Sequence, residues 1–131
     1  MPVKDPGFLI IRYGIGIAYA LHGSHKLAEG REALEALGTS FTELVGMAVP
    51  GYPLGLLAAL SQLVAGIMIA TGFKLHWGVI IGIPTLIIAA IVLILNGEPF
   101  SHYSHSLELI VVFIGLGLWQ NQRKYNHSIR N

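Results

Sequence analysis

The chain has 131 residues, no cysteine, 53% hydrophobic residues, only 11% charged residues and a net charge of +1. Soluble domains carry about a quarter charged residues, so this composition, with a mean hydropathy of +0.65, indicates a small, single-domain integral membrane protein. The same figures exclude a disordered chain, a disulfide scaffold and a zinc–thiolate site, and no basic stripe points to nucleic acid.

The first apolar segment, residues 8–27, is predicted to cross the bilayer, because about 20 apolar residues span a hydrocarbon core of roughly 30 Å. It contains Arg12 and ends in a polar cluster of His22, His25 and Lys26. A cleaved secretory signal is the rival interpretation of this segment. Arg12 argues against cleavage, because the apolar region of a signal peptide normally carries no charge.

The segment at residues 28–51 is the only long connection between apolar runs. It contains good helix formers, and Thr39 and Ser40 followed by Glu43 form a pattern that can cap a second short helix. We therefore expect a short helical hairpin or flap on the outer surface, with a plain connector as the alternative.

Three further spans are predicted at residues 52–73, 76–95 and 101–120, with Pro84 as a kink in the third span. The expected fold is all-α: an integral membrane four-helix bundle with a short helical outer loop between the first and second spans. Small residues recur four apart along the spans and favour close helix packing. These pairs are Gly14/Ala18, Gly16/Ala20, Gly55/Ala59, Gly66/Ala70 and Gly78/Gly82.

The basic residues predict the orientation of the bundle. An even number of spans puts both termini and the turn near residue 75 on one side, and this side holds most of the lysine and arginine residues, namely Lys4, Lys74, Arg123, Lys124 and Arg130. The positive-inside rule then places both termini in the cytoplasm. We expect a multi-pass protein of the cytoplasmic (inner) membrane.

Ionisable and amide side chains at membrane depth are the candidate functional residues, because burying them in hydrocarbon costs several kcal/mol. At a rise of 1.5 Å per residue, His22 and Glu108 both come out about 10 Å below the outer face. We predict that these two residues form an inward-facing, proton-exchanging catalytic pair. Lys26, Gln62 and His105 are the predicted ligand-binding residues, with Lys26 as an anion or headgroup contact and Gln62 as a hydrogen-bonding floor.

Structural roles for these residues remain open alternatives. Glu108 and Gln62 can serve as hydrogen-bonding links between helices, while Arg12 and Lys26 can be anchors that extend to the membrane surface. The cofactor is also left open. Quinone is one candidate, and a metal ion or haem held by the two His-x-x-His pairs is another; these pairs are His22/His25 and His102/His105.

Short motifs along the chain resemble the DoxX family. Residues 21–26 (LHGSHK) resemble its HG-x-x-K signature, and residues 51–53 (GYP), 61–66 (SQLVAG) and 71–72 (TG) resemble its second-helix block. Residues 106–109 (SLEL) resemble the entry to its last helix. The resemblance implies a four-helix bundle of the bacterial or archaeal cytoplasmic membrane, whose relatives are linked to quinone-coupled thiosulfate oxidation, oxidative-stress complexes and maturation of periplasmic redox enzymes.

The resemblance also bears on single residues. It implies that His22, Gly23, Lys26 and Glu108 match positions the family tends to keep, and that Gln62 stands where the family commonly has glutamate. The leading functional hypothesis is therefore a membrane protein that serves a redox system, by contacting quinone or by anchoring a partner oxidoreductase. A structural or assembly subunit is the alternative, followed by a small-solute or proton-linked transporter. A homodimer is a further candidate assembly.

Overall fold

The computed structural model describes residues 5–129, except for the side chains of Arg123, Lys124 and His127. The described residues form five helices: α1 (Pro6–Ala28), α2 (Arg31–Val45), α3 (Gly51–Thr71), α4 (Leu75–Leu95) and α5 (Phe100–Ile129). The all-α prediction is confirmed. Helices α1, α3, α4 and α5 lie on the four predicted spans, and α2 occupies the connection that was expected to be helical. Lys4 and Arg130, which contributed to the predicted orientation, lie outside the described residues.

One prediction for the outer connection is wrong. The outer connection is one continuous helix, α2, and not a helical hairpin, so Thr39 and Ser40 lie inside the helix instead of capping a second one. The helix continues through Gly38 because this residue packs directly on the backbone of Gly51, and it ends at Gly46, which takes the left-handed conformation. At the other end of the chain, α5 contains the whole of the predicted span 101–120 and continues past it to Ile129.

Helix α3 is the centre of the packing. It contacts α1, α2 and α4, while α5 packs mainly on α4. Where the helices meet, the core contains the fully buried side chains of Tyr19, Ile69 and Phe113. The rings of Tyr19 and Phe113 meet edge to face with 5.1 Å between centroids, and the Tyr19 hydroxyl donates a 3.2 Å hydrogen bond to the Gly82 carbonyl oxygen.

The interface between α1 and α3 is made by small residues. A β-carbon added at Gly16 would collide with the backbone of Ala70, and one at Gly66 would collide with the backbone of Ala20. The two backbones are therefore in direct contact, which confirms the predicted packing role of these glycine–alanine pairs. Gly14 differs, because a β-carbon there would meet nothing within 4 Å.

By their length and composition, two helices in the described part of the chain, α3 and α4, are long and apolar enough to cross a membrane. Helices α1 and α5 are at least as long but carry ionisable side chains, among them Arg12, Lys26 and Glu108. The bundle thus combines two helices that contain no Asp, Glu, Lys or Arg with two that carry such residues.

Candidate functional site

A cavity of about 390 Å³ lies between α2, α3 and α4, with Lys26 of α1 at its edge. We call it the Gln62 pocket. Its volume falls in the range of small-molecule sites. Two of the predicted ligand-binding residues, Lys26 and Gln62, line it, and most of the other lining residues are apolar. The remainder of the lining is Leu37, Ser40, Phe41, Leu54, Leu57, Ala58, Ser61, Pro84, Thr85, Ile88, Ala89 and Val92.

The buried amide of Gln62 is the main polar group of this pocket. Only 3% of the residue is exposed, and its side-chain oxygen Oε1 is buried and accepts no hydrogen bond from residues 5–129. Leaving a buried polar group without a partner costs about 1–3 kcal/mol. A ligand with a hydrogen-bond donor would satisfy this oxygen.

Two hydroxyl groups lie beside the amide and bind each other across the α3–α4 interface. Ser61 Oγ donates to the Ala58 carbonyl oxygen at 2.8 Å, and it lies 2.9 Å from Thr85 Oγ1. Because the single Ser61 proton is used in the first bond, Thr85 must donate in the second. Both hydroxyl protons are thus engaged, and the hydrogen-bond donors left for a ligand are the Gln62 amide and the Lys26 ammonium group.

The predicted pairing of His22 with Glu108 is not seen as a hydrogen bond or an ion pair in the described part of the chain. The ionisable groups that act electrostatically on His22 are Lys26, His105, His25 and Glu29, so the α5 residue in this set is His105 rather than Glu108. The expectation that Glu108 points inward is also wrong, because its side chain lies on the exposed side of α5. Of the five predicted site residues, Lys26 and Gln62 line the Gln62 pocket. His22 and His105 lie on the α1–α5 seam, the line along which these two helices meet, and Glu108 is exposed.

Helix phase and register explain this outcome. The buried side of α5 is formed by Leu109, Phe113 and Leu116, and Glu108 is rotated about 100° from Leu109 around the helix axis. The rings of Phe8 and Trp119 stack at 3.6 Å, which fixes how the antiparallel helices align. Counting the same number of residues along each helix from this stack places His22 opposite His105 and leaves Glu108 nearly one turn deeper.

The α1–α5 seam is open along much of its length. Below the histidines, a groove of about 470 Å³ separates the two helices and is closed at one end by the stacked rings of Phe8 and Trp119. Its other lining residues are Asp5, Gly7, Ile11, Val112, Gly115 and Leu116. The seam therefore holds its two helices together by a few side chains, unlike the continuous backbone contact between α1 and α3.

The remaining histidines of the two His-x-x-His pairs each have a carboxylate neighbour four residues away in the chain, just outside the helix that holds the histidine. His102 Nδ1 lies 2.7 Å from Glu98 Oε2, and His25 Nε2 lies 3.7 Å from Glu29 Oε1. Within residues 5–129, no group of three or more histidine, aspartate or glutamate side chains is arranged to hold a metal ion. These histidines are exposed, and their carboxylate pairing is typical of a helix end near the membrane surface.

Sequence reasoning missed the contribution of α2 and α4 to the pocket. Thr85 is a hydroxyl residue in a long apolar run, one position after Pro84, and this isolation was the available signal. Leu37 and Phe41 carry no such signal. They reach the pocket only because α2 folds back over α3, where Gly55 packs on the carbonyl group of Leu34.

Comparison with known proteins gives one match. A family model described as DoxX matches residues 7–95, which is more than half of the chain. The match includes α1 to α4 and ends before α5, so the resemblance noted at residues 106–109 lies outside it. No curated protein and no solved structure matches the chain.

Proposed function

This chain belongs to the DoxX family of membrane proteins, and we propose that it serves a membrane redox system by binding a quinone in the Gln62 pocket. The observation that carries this proposal is the buried, unpartnered amide oxygen of Gln62, a residue that lines a mostly apolar cavity. Such a site favours a ligand that is mostly apolar and bears a small number of hydrogen-bonding groups.

A quinone fits this chemistry in both of its redox forms. The oxidised ring offers carbonyl oxygens, which accept hydrogen bonds from the Gln62 amide or from Lys26. The reduced ring offers hydroxyl groups, which donate to Gln62 Oε1. The apolar lining, represented by Leu57 and Ile88, suits the ring substituents and the start of an isoprenoid tail.

The residues around the mouth of the pocket suit proton exchange with such a ligand. Lys26 lines the pocket and interacts electrostatically with His22 four residues earlier on α1, and His22 in turn interacts with His105. Imidazole groups exchange protons near neutral pH. We propose that His22 and His105 pass protons at this end of the bundle, while electrons come from a partner oxidoreductase.

This proposal includes a membrane arrangement. Helices α1, α3, α4 and α5 cross the bilayer with both termini in the cytoplasm, and α2 lies at the outer surface. Lys26 and the Gln62 pocket are then close to the outer face, where a quinone headgroup and a water-exposed partner enzyme can meet.

Replacing Gln62 by methionine tests the proposal. Methionine keeps the length of the side chain but offers neither an amide donor nor a carbonyl acceptor, so we expect a short-chain ubiquinone to bind about tenfold more weakly, which corresponds to roughly 1.4 kcal/mol. Isothermal titration of the protein in detergent micelles measures this change.

Gln120→Met is the matched control. Gln120 also has a buried side-chain oxygen with no hydrogen-bond partner in the described part of the chain, but it does not line the Gln62 pocket. We expect its variant to bind quinone as the unaltered protein does. Equal affinity in the Gln62→Met variant, or equal losses in both variants, would contradict the proposal.

A further inference from the structure

Helix α5 extends beyond the rest of the bundle. It has 30 residues, which corresponds to about 45 Å and exceeds the roughly 30 Å of a hydrocarbon core. Trp119 stacks on Phe8 close to the start of α1, so the ten residues that follow project about 15 Å past that level. A single helical extension of this length is marginal in water unless something packs against it.

A seven-residue repeat runs along the exposed side of α5. Its positions are Phe100, Ser104, Leu107, Val111, Ile114, Leu118, Asn121 and Tyr125, separated alternately by four and three residues. Apart from the partly exposed Ser104, all of them are exposed, and they lie opposite the buried side formed by Leu109, Phe113 and Leu116. This repeat is typical of the contact line of a two-stranded coiled coil. We call it the α5 stripe.

Two observations separate the α5 stripe from an ordinary lipid-facing surface. First, it continues past Trp119 to Tyr125, which is 68% exposed on the projecting part of the helix, where lipid tails no longer cover it. Second, Glu108 lies beside the stripe, exposed and without an ion pair to any residue from 5 to 129. A carboxylate facing hydrocarbon is costly and calls for a polar partner.

We propose that the α5 stripe is a dimer interface, at which α5 packs in parallel against α5 of a second copy of this chain. Copies inserted in the same membrane share one orientation, so a two-fold axis along the membrane normal pairs identical stripes in register. Asn121 then meets Asn121 of the second copy, and a polar residue in such a contact line fixes the register of the pair.

The parallel register also provides a partner for Glu108. In a parallel two-stranded coiled coil, the residue just before a stripe position on one helix faces the residue five positions further along the other helix. This rule brings Tyr103 of one copy to Glu108 of the other. The hydroxyl of Tyr103 donates no hydrogen bond within the described chain, and Gly115, where a β-carbon would meet nothing within 4 Å, lets the two helices approach closely.

This proposal does not rest on the quinone site. The Gln62 pocket is lined by residues of α1 to α4 and by none of α5. A monomeric protein that still binds quinone would overturn only the dimer. Unchanged quinone affinity in the Gln62→Met variant, with an intact dimer, would overturn only the quinone site.

Cysteine cross-linking in native membranes tests the interface. The chain has no cysteine, so each variant carries a single thiol. We expect copper-phenanthroline oxidation to give disulfide-linked dimers of Val111→Cys and Leu118→Cys. The matched control is Ile17→Cys, which is 51% exposed and lies on α1 at almost the depth of Val111, judged from the Phe8–Trp119 stack; it should give none. Equal yields from all three variants, or no dimer from the two stripe variants, would overturn the proposal.

A second measurement isolates the polar contact. We expect Tyr103→Phe and Glu108→Leu each to weaken dimerisation about tenfold, as expected for the loss of two symmetry-related hydrogen bonds between helices. Förster transfer between labelled copies in lipid vesicles measures this association. Unchanged association in both variants would contradict the proposed register, and transfer no higher than that of a known monomer would contradict the dimer itself.

Discussion

Helix α1 contacts α3 and α5 in different ways. Against α3, glycine and alanine residues bring the backbones into direct contact, as at Gly16 and Gly66. Against α5, contact depends on the Phe8–Trp119 stack, and an open groove lies beside it. Helices in a membrane associate through close packing rather than the hydrophobic effect. The first interface is therefore the rigid part of this bundle, and the second is where ionisable groups such as His22 and His105 come near each other.

The largest expected effect comes from Gly66→Leu. A side chain there would displace the backbone of Ala20, so we expect the free energy of unfolding to fall by more than about 3 kcal/mol. Titration with sodium dodecyl sulfate measures it. Gly14→Leu is the control: a β-carbon there meets open space, and we expect a change within about 0.5 kcal/mol. Similar losses in the two variants would refute the contrast between these glycines.

A smaller effect is expected from Trp119→Ala. This variant removes the ring stack on Phe8, and we expect the free energy of unfolding to fall by about 1 kcal/mol beyond the loss of buried area. Trp119→Phe should recover most of the loss, because phenylalanine also stacks. The same loss in both variants would show that the stack does not hold the α1–α5 seam.

The smallest effect is expected from Tyr19→Phe. It removes the hydrogen bond to the Gly82 carbonyl oxygen but keeps the edge-to-face contact with Phe113. Such bonds between membrane helices are worth about 0.6 kcal/mol, and the detergent titration should show a loss of that order. Tyr13→Phe, at an exposed ring, is the control and should be neutral. A loss of several kcal/mol at Tyr19 would mean that the core depends on this bond more than on ring packing.

The helices were predictable from the sequence because apolar length decides whether a segment can cross a bilayer. The packing role of Gly16 and Gly66 was also predictable, since small residues four apart favour close approach. The continuity of α2 was not. It depends on the contact between Gly38 and Gly51, which local helix propensity does not contain.

The candidate site was predictable only in part. Gln62 was identified because an amide in an uncharged apolar run needs a partner, and the structure places it in a pocket with Lys26. The orientation of Glu108 was not predictable from depth. Helical rise gives the height of a residue, but each single step along the chain rotates the side chain by about 100°. The direction of a side chain therefore depends on which face of the helix packs inward. Here the buried face of α5 includes Phe113, and Glu108 lies outside this face.

The tight seating of α2 decides how a molecule enters the Gln62 pocket. Glycine contacts at Gly38 and Gly55 fix this helix on α3. Leu57 and Ile88 both line the pocket and are both exposed on the outside of α3 and α4. We therefore expect a ligand to enter laterally, from the surrounding lipid. We expect occupancy to follow the concentration of a compound dissolved in the bilayer, so that longer-tailed homologues load more readily at the same total amount.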